Sequence, residues 1–133
     1  MALTVTSGGG GGTVTVTPVV SSSSPWFNEL QVRLNSPAAL SALSVTIVIQ
    51  RTAGVSVSGQ YNTLGGQVTQ SNSSTTAAIT YQYTLSSGSI GPSNNMTFAA
   101  QASGTGTAHP TSGDTYTVTY TTGGQTFTQS GTF

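Results

Sequence analysis

The acid–base chemistry open to this chain rests on Glu29, Asp114, His109 and two arginines, Arg33 and Arg51; lysine and cysteine are absent from the 133 residues. A glycosidase needs two carboxylates flanking one bond. Glu29 opens an alternating segment, whereas Asp114 follows the loop GTGTAHPTSGD, and nothing in the spacing brings them together. A Ser/His/Asp triad expects a serine in a G-x-S-x-G elbow, a pattern the chain lacks. One histidine and two scattered acids do not make a metal-ligand set. The SGGGGG run (7–12) lacks the Gly-Lys-Ser/Thr ending of a phosphate loop. The expectation is a non-catalytic chain with no cofactor and no metal. Within SGDTY, Asp114 is expected to accept backbone N–H groups in a turn feeding the last hairpin.

Aromatic display is the remaining chemistry. The chain has one tryptophan and five tyrosines, and tyrosine suits a wet surface because its hydroxyl faces water while its ring stays apolar. Sugar rings present flat C–H faces between hydroxyls, so exposed aromatic rings with amide neighbours suit a polysaccharide. Trp26 and Tyr61 sit at strand ends beside amides: Asn28 for the first, Gln60 and Asn62 for the second. Tyr81 and Tyr83 share one face of their segment, and Tyr83 joins the candidate carbohydrate-binding set of Trp26, Tyr61, Asn28, Gln60 and Asn62. For Tyr81, Tyr116 and Tyr120 a half-buried structural place is expected.

These side chains must be positioned by strands, because helical periodicity is nearly absent. Period-2 segments occur at 13–20, 26–34, 43–51, 54–61, 77–85, 95–102, 114–121 and 124–131, bounded by Gly, Pro, Ser or Asn clusters. About eight short strands at this spacing predict an all-β antiparallel β-sandwich, immunoglobulin-like or jelly-roll-like. Alternation makes Leu30, Val32 and Leu34, and Val45, Ile47 and Ile49, core rows, and turns Gln31, Arg33 and Asn35 outward. TTGGQ (121–125) predicts a hairpin through Gly123-Gly124. The length suits one domain, with residues 13–133 as the sandwich. Residues 1–12 read as a flexible linker remnant, with an edge strand at 3–7 as the alternative.

Charged residues make up 3% of the chain, against roughly 25% in ordinary soluble domains. A nucleic-acid partner is excluded because phosphate neutralisation needs several Lys or Arg. No segment is apolar enough to span a bilayer. Thr, Ser, Gly and amide richness points to a secreted, extracellular protein.

The order of features is similar to the family 2 carbohydrate-binding modules. VTVTPVVSSSSPWFNELQVRL resembles that family's strand, exposed-Trp loop and following strand, with Trp26 at the first display position. GQYNTLGG resembles its Gly-Gln, Trp-Asn stretch, with Tyr61 second, and IGPSNNMTFAAQASG resembles its turn into a Phe-ended strand. The likeness covers roughly residues 13 to 106. The family's third exposed Trp would fall near Ser86, where no aromatic stands, and its terminal cysteine pair is missing. The resemblance implies a β-sandwich that attaches to cellulose, chitin or xylan; with fewer rings than the family, weaker binding to crystalline cellulose or a preference for chitin or a β-1,3-glucan is expected, with a catalytic domain of the same parent chain as partner. The alternative is a structural or adhesive cell-surface sandwich that self-associates through strand edges. Thr-x-Thr rows in TVTVT and TYTVTYT also have the composition of an ice-binding surface, but repetition across many strands is not visible in the sequence.

Overall fold

The computed structural model describes residues 14–133, so the segment 1–12 and the alternatives for it lie outside the described residues. Among the described residues nine strands form two antiparallel sheets, the all-β sandwich that alternation predicts. The strands are β1 (Thr15–Ser23), β2 (Phe27–Ser36), β3 (Ala42–Gln50), β4 (Ser56–Asn62), β5 (Val68–Ser74), β6 (Ala78–Leu85), β7 (Ser93–Ser103), β8 (Thr115–Thr122) and β9 (Gln125–Thr132). One sheet has the order β1-β2-β7-β4 and the other β5-β6-β3-β8-β9. The first order, and the β3-β8-β9 part of the second, correspond to the ABED and CFG sheets of an immunoglobulin sandwich. The β5-β6 hairpin widens the second sheet beside β3.

The core rows fall where period 2 places them. Leu30, Val32 and Leu34 face Val45, Ile47 and Ile49 across the interior, all at most 1% exposed. Burial of such faces out of water is the main force holding the sheets together. The tyrosines correct the expectation of half-burial: Tyr81, Tyr83, Tyr116 and Tyr120 are all buried. Tyr83 packs edge-on to Phe98 with ring centroids 5.5 Å apart. The Tyr81 hydroxyl donates to the carbonyl of Gln101 at 2.6 Å, and that of Tyr83 to the carbonyl of Ala99. Burial raises both phenol pKa values well above the ordinary tyrosine value. Two core phenols thereby tie β6 to the backbone of β7, each bond contributing about 1 kcal/mol.

Strand β5 has no counterpart among the segments read from the sequence. Only Val68 is buried along it, so its sequence VTQSNSS lacks the alternation by which a half-buried strand is recognised. The hairpin through Gly123 and Gly124 forms as expected. Both glycines have positive φ, 59° and 77°, which the two-residue turns matching sheet twist require.

Candidate functional site

Strand β2 turns Glu29, Gln31 and Arg33 to the outer face of the β1-β2-β7-β4 sheet, because residues two apart share a face. Register sets Gln31 opposite Ala99 of β7, and Ala99 opposite Tyr61 of β4. In the next row Glu29 faces Gln101, and Gln101 faces Gly59. The methyl of Ala99 and the missing side chain of Gly59 leave a low floor, across which Tyr61 reaches β2. The Gln31 amide donates to Glu29 Oε2 at 2.5 Å and to the Tyr61 hydroxyl at 3.1 Å. Its carbonyl oxygen accepts from Arg33 Nε at 3.0 Å and Nη2 at 2.7 Å. Gln101 donates to Glu29 Oε1 at 2.8 Å.

The result is a fixed polar platform. The Gln31 amide links Glu29 to Arg33, and Tyr61 remains 40% exposed beside them. Partial burial acts to raise the Glu29 pKa, but hydrogen bonds from Gln101, Gln31, Ser21 and Tyr61 outweigh it and hold the carboxyl below its usual value. The Tyr61 phenol is shifted upward, first by burial and then by the neighbouring Glu29 charge. A groove lined by Thr15, Thr17, Val19, Arg33 and Asn35 continues this face toward β1. Such a surface offers a sugar one aromatic face together with donors and acceptors held in place before contact.

Among the described residues Trp26 is the most exposed large apolar side chain, at 67%, in the Ser-Pro corner at the strand end where the sequence places it for display. Ser24 builds that corner: its hydroxyl oxygen accepts the N–H of Phe27 at 3.0 Å and of Trp26 at 3.3 Å. Gly104 and Gly106 then dock the corner, donating N–H groups to the carbonyls of Trp26 (2.7 Å) and Pro25 (2.9 Å). A Cβ on Gly106 would lie 3.0 to 3.5 Å from three carbons of the indole ring, so the ring rests on that glycine. Trp26 and Tyr61 do not stand side by side. Their neighbours near or on β7 are Gly104 and Ala99, five residues apart, or about 17 Å at the rise of a strand. They mark two ends of a surface.

The structure places four of the sequence candidates away from this platform. Asn28 shares the core face of Leu30 and is 1% exposed, with neither amide atom partnered among the described residues. Tyr83 is fully buried. Gln60 lies on the core side opposite Ala100, and its Oε1 accepts from Asn72 at 2.7 Å. Asn62 serves the turn leaving β4, accepting the Leu64 N–H at 2.8 Å and donating to Gln70 at 2.9 Å. Gln60 and Asn62 flank Tyr61 directly and so take the opposite face of β4, whereas Asn28 keeps the core parity of β2 and Trp26 lies outside that strand, in the corner before it. Glu29, Gln31, Arg33 and Gln101 join Tyr61 in the candidate platform, although none of the four is among the sequence-derived binding residues. The E-x-Q-x-R pattern in ELQVR carries the signal for the first three; Gln101 is placed by register alone.

His109 and Asp114 form a second cluster. His109 Nε2 lies 2.6 Å from Asp114 Oδ2, both side chains fully buried, and Nδ1 lies 2.7 Å from the Thr52 hydroxyl. Asp114 does accept a backbone N–H, but that of Gln50 at 2.8 Å, across the fold, rather than one in its own turn. Burial raises the Asp114 pKa, opposed by the Gln50 amide and by His109. The chain Asp114–His109–Thr52 fastens the end of β3 and the turn after it, where Ala53 has a φ of 56°, to the loop before β8.

The chain matches no protein-family model, no curated protein and no solved structure.

Proposed function

We propose that this chain is a non-catalytic, secreted carbohydrate-binding module that attaches a catalytic partner to an insoluble polysaccharide such as cellulose, chitin or a β-1,3-glucan. The observation that carries the reading is the outer face of the β1-β2-β7-β4 sheet. There an exposed Tyr61 ring lies beside a hydrogen-bonded Glu29, Gln31, Arg33 and Gln101 set over a floor of Ala99 and Gly59. A platform ordered before contact loses little side-chain freedom on binding. Base–aromatic stacking, taken as the analogue for a sugar face on an aromatic ring, is worth about 1 to 3 kcal/mol. Tyr61→Ala is therefore expected to weaken binding roughly 5- to 150-fold, and Trp26→Ala by a similar factor on a ligand long enough to reach both ends. The measurement is depletion from solution by cellulose, chitin and curdlan. Undiminished depletion of both variants would remove this surface as the site.

A second reading, a structural or adhesive sandwich, is favoured by the edges of the five-stranded sheet. Neither β5 nor β9 contains a charged residue, and charge is a common guard against edge pairing. On this reading light scattering shows a mass that grows with concentration and does not change when soluble oligosaccharide is added.

A further inference from the structure

The outer face of the five-stranded sheet is a regular field of hydroxyls. Strand register aligns Thr69, Thr84, Ser44, Thr119 and Thr128 in one row across all five strands. Two residues further along each strand, Ser71, Gln82, Thr46, Thr117 and Ser130 form the next row, and Ser73, Thr80, Val48, Thr115 and Thr132 the one after. Every position but Gln82 and Val48 is threonine or serine. All point away from the core, since their strand neighbours Val45, Ile47, Tyr81, Tyr83, Tyr116 and Val118 fill it. The repetition that the sequence does not display is thus supplied by pairing, which corrects the expectation that such rows are missing.

Two absences define what this face can hold. It carries no charge: Glu29 and Arg33 lie on the opposite sheet, Asp114 is buried, and Arg51 donates to the carbonyls of Val55 and Thr75 at one end. It carries no aromatic ring either, because the tyrosines of β6 and β8 point inward. Sugar stacking and ion pairing are both unavailable here, unlike on the opposite face. What remains is an array with a pitch of about 4.8 Å between strands and about 6.7 Å between residues two apart, each node but Gln82 and Val48 bearing a hydroxyl and most of them also a methyl. Hexagonal ice presents water oxygens in rigid two-dimensional repeats of comparable scale. A hydroxyl can take the place of a lattice water, and a methyl between hydroxyls gains by leaving liquid water. Each contact is weak, but the sheet fixes the nodes beforehand, so little freedom is lost as many form together. Sheet twist of roughly 20° per strand concentrates the match on the central strands β6, β3 and β8.

We infer that this face binds ice, independently of the polysaccharide reading of the opposite sheet. The test uses the full 133-residue chain in ice-affinity partition and in an ice-recrystallisation assay, against a charged control protein of similar size. The chain is expected to enter the ice fraction at several times the control level and to slow recrystallisation. Ser44→Lys combined with Thr117→Lys, both at exposed positions on central strands, is expected to raise the concentration needed at least tenfold. Thr128→Lys, at the end of a row, is expected to act in the same direction but less. Circular dichroism establishes that each variant is folded, and Tyr61→Ala is expected to leave ice partition unchanged. Partition no greater than the control, or lysine variants as active as the parent, overturns the inference. So does a lysine variant that loses polysaccharide depletion or a dimeric mass while the parent ignores ice, since the face would then serve that contact. Failure of polysaccharide binding with ice partition intact removes only the reading of the other sheet.

Discussion

Gly104→Ala is expected to lower stability by about 2 to 5 kcal/mol, the size of an overpacking penalty added to two lost hydrogen bonds. A Cβ at this position would lie 2.1 Å from the Pro25 carbonyl oxygen, 2.8 Å from its carbon and 3.2 Å from the Trp26 Cα. All three are backbone atoms, so no side chain can swing aside. The β1–β2 corner must lift away from the strand end, breaking the bonds from Gly104 to Trp26 and from Gly106 to Pro25. Trp26 is the sole tryptophan, so its fluorescence reads the displacement directly. We expect a fall in the thermal midpoint on the order of 10 °C, with stronger quenching of Trp26 by acrylamide in the folded variant. Gly66→Ala, where an added Cβ meets nothing within 4 Å, serves as the control. Equal midpoints and equal quenching in the two variants would contradict the docked corner. The same substitution is expected to weaken any binding that uses Trp26, because it moves the ring without removing it.

Asp114→Ala is expected to cost about 3 to 5 kcal/mol, the range seen when one member of a buried charged or strongly hydrogen-bonded pair is deleted. It would leave His109 Nε2 and the Gln50 N–H without their acceptors in a site closed to water. Asp114→Asn separates geometry from charge. Its oxygen can still accept from Gln50. Its amide can donate to Nε2 once the imidazole proton moves to Nδ1, which then donates to the Thr52 hydroxyl oxygen instead of accepting from it. The expected loss for the asparagine variant is therefore only about 1 kcal/mol. Urea unfolding of the two variants distinguishes the cases, and equal losses would show that the carboxylate charge, rather than the acceptor geometry, holds the loop.

What could be read without a structure follows from local rules. Alternation named the core rows of β2 and β3, because a strand with one buried face must repeat every second residue. Gly123-Gly124 named its hairpin, because few other residues accept positive φ at both turn positions. A place at a strand end named Trp26 for display, since a residue at a strand mouth is not covered by the sheet. The same rules failed where neighbours in sequence are not neighbours in space. Asn28 and Gln60 adjoin exposed segments yet face the core, and the polar edge strand β5 leaves no periodic mark.

The sequence by itself thus determined the fold class, the faces of the strands and the near absence of charge. Tertiary structure alone decided the surfaces. Pairing of β2 with β7 and of β7 with β4 carried Gln101 and Tyr61 to Glu29, and pairing across five strands turned scattered threonines into rows. His109, Asp114 and Thr52 met only because the loop before β8 folds over the end of β3. The physical reason is the same throughout: side-chain direction is set within a strand by its pleat, whereas lateral neighbours are set by register, which depends on how separate strands share one core.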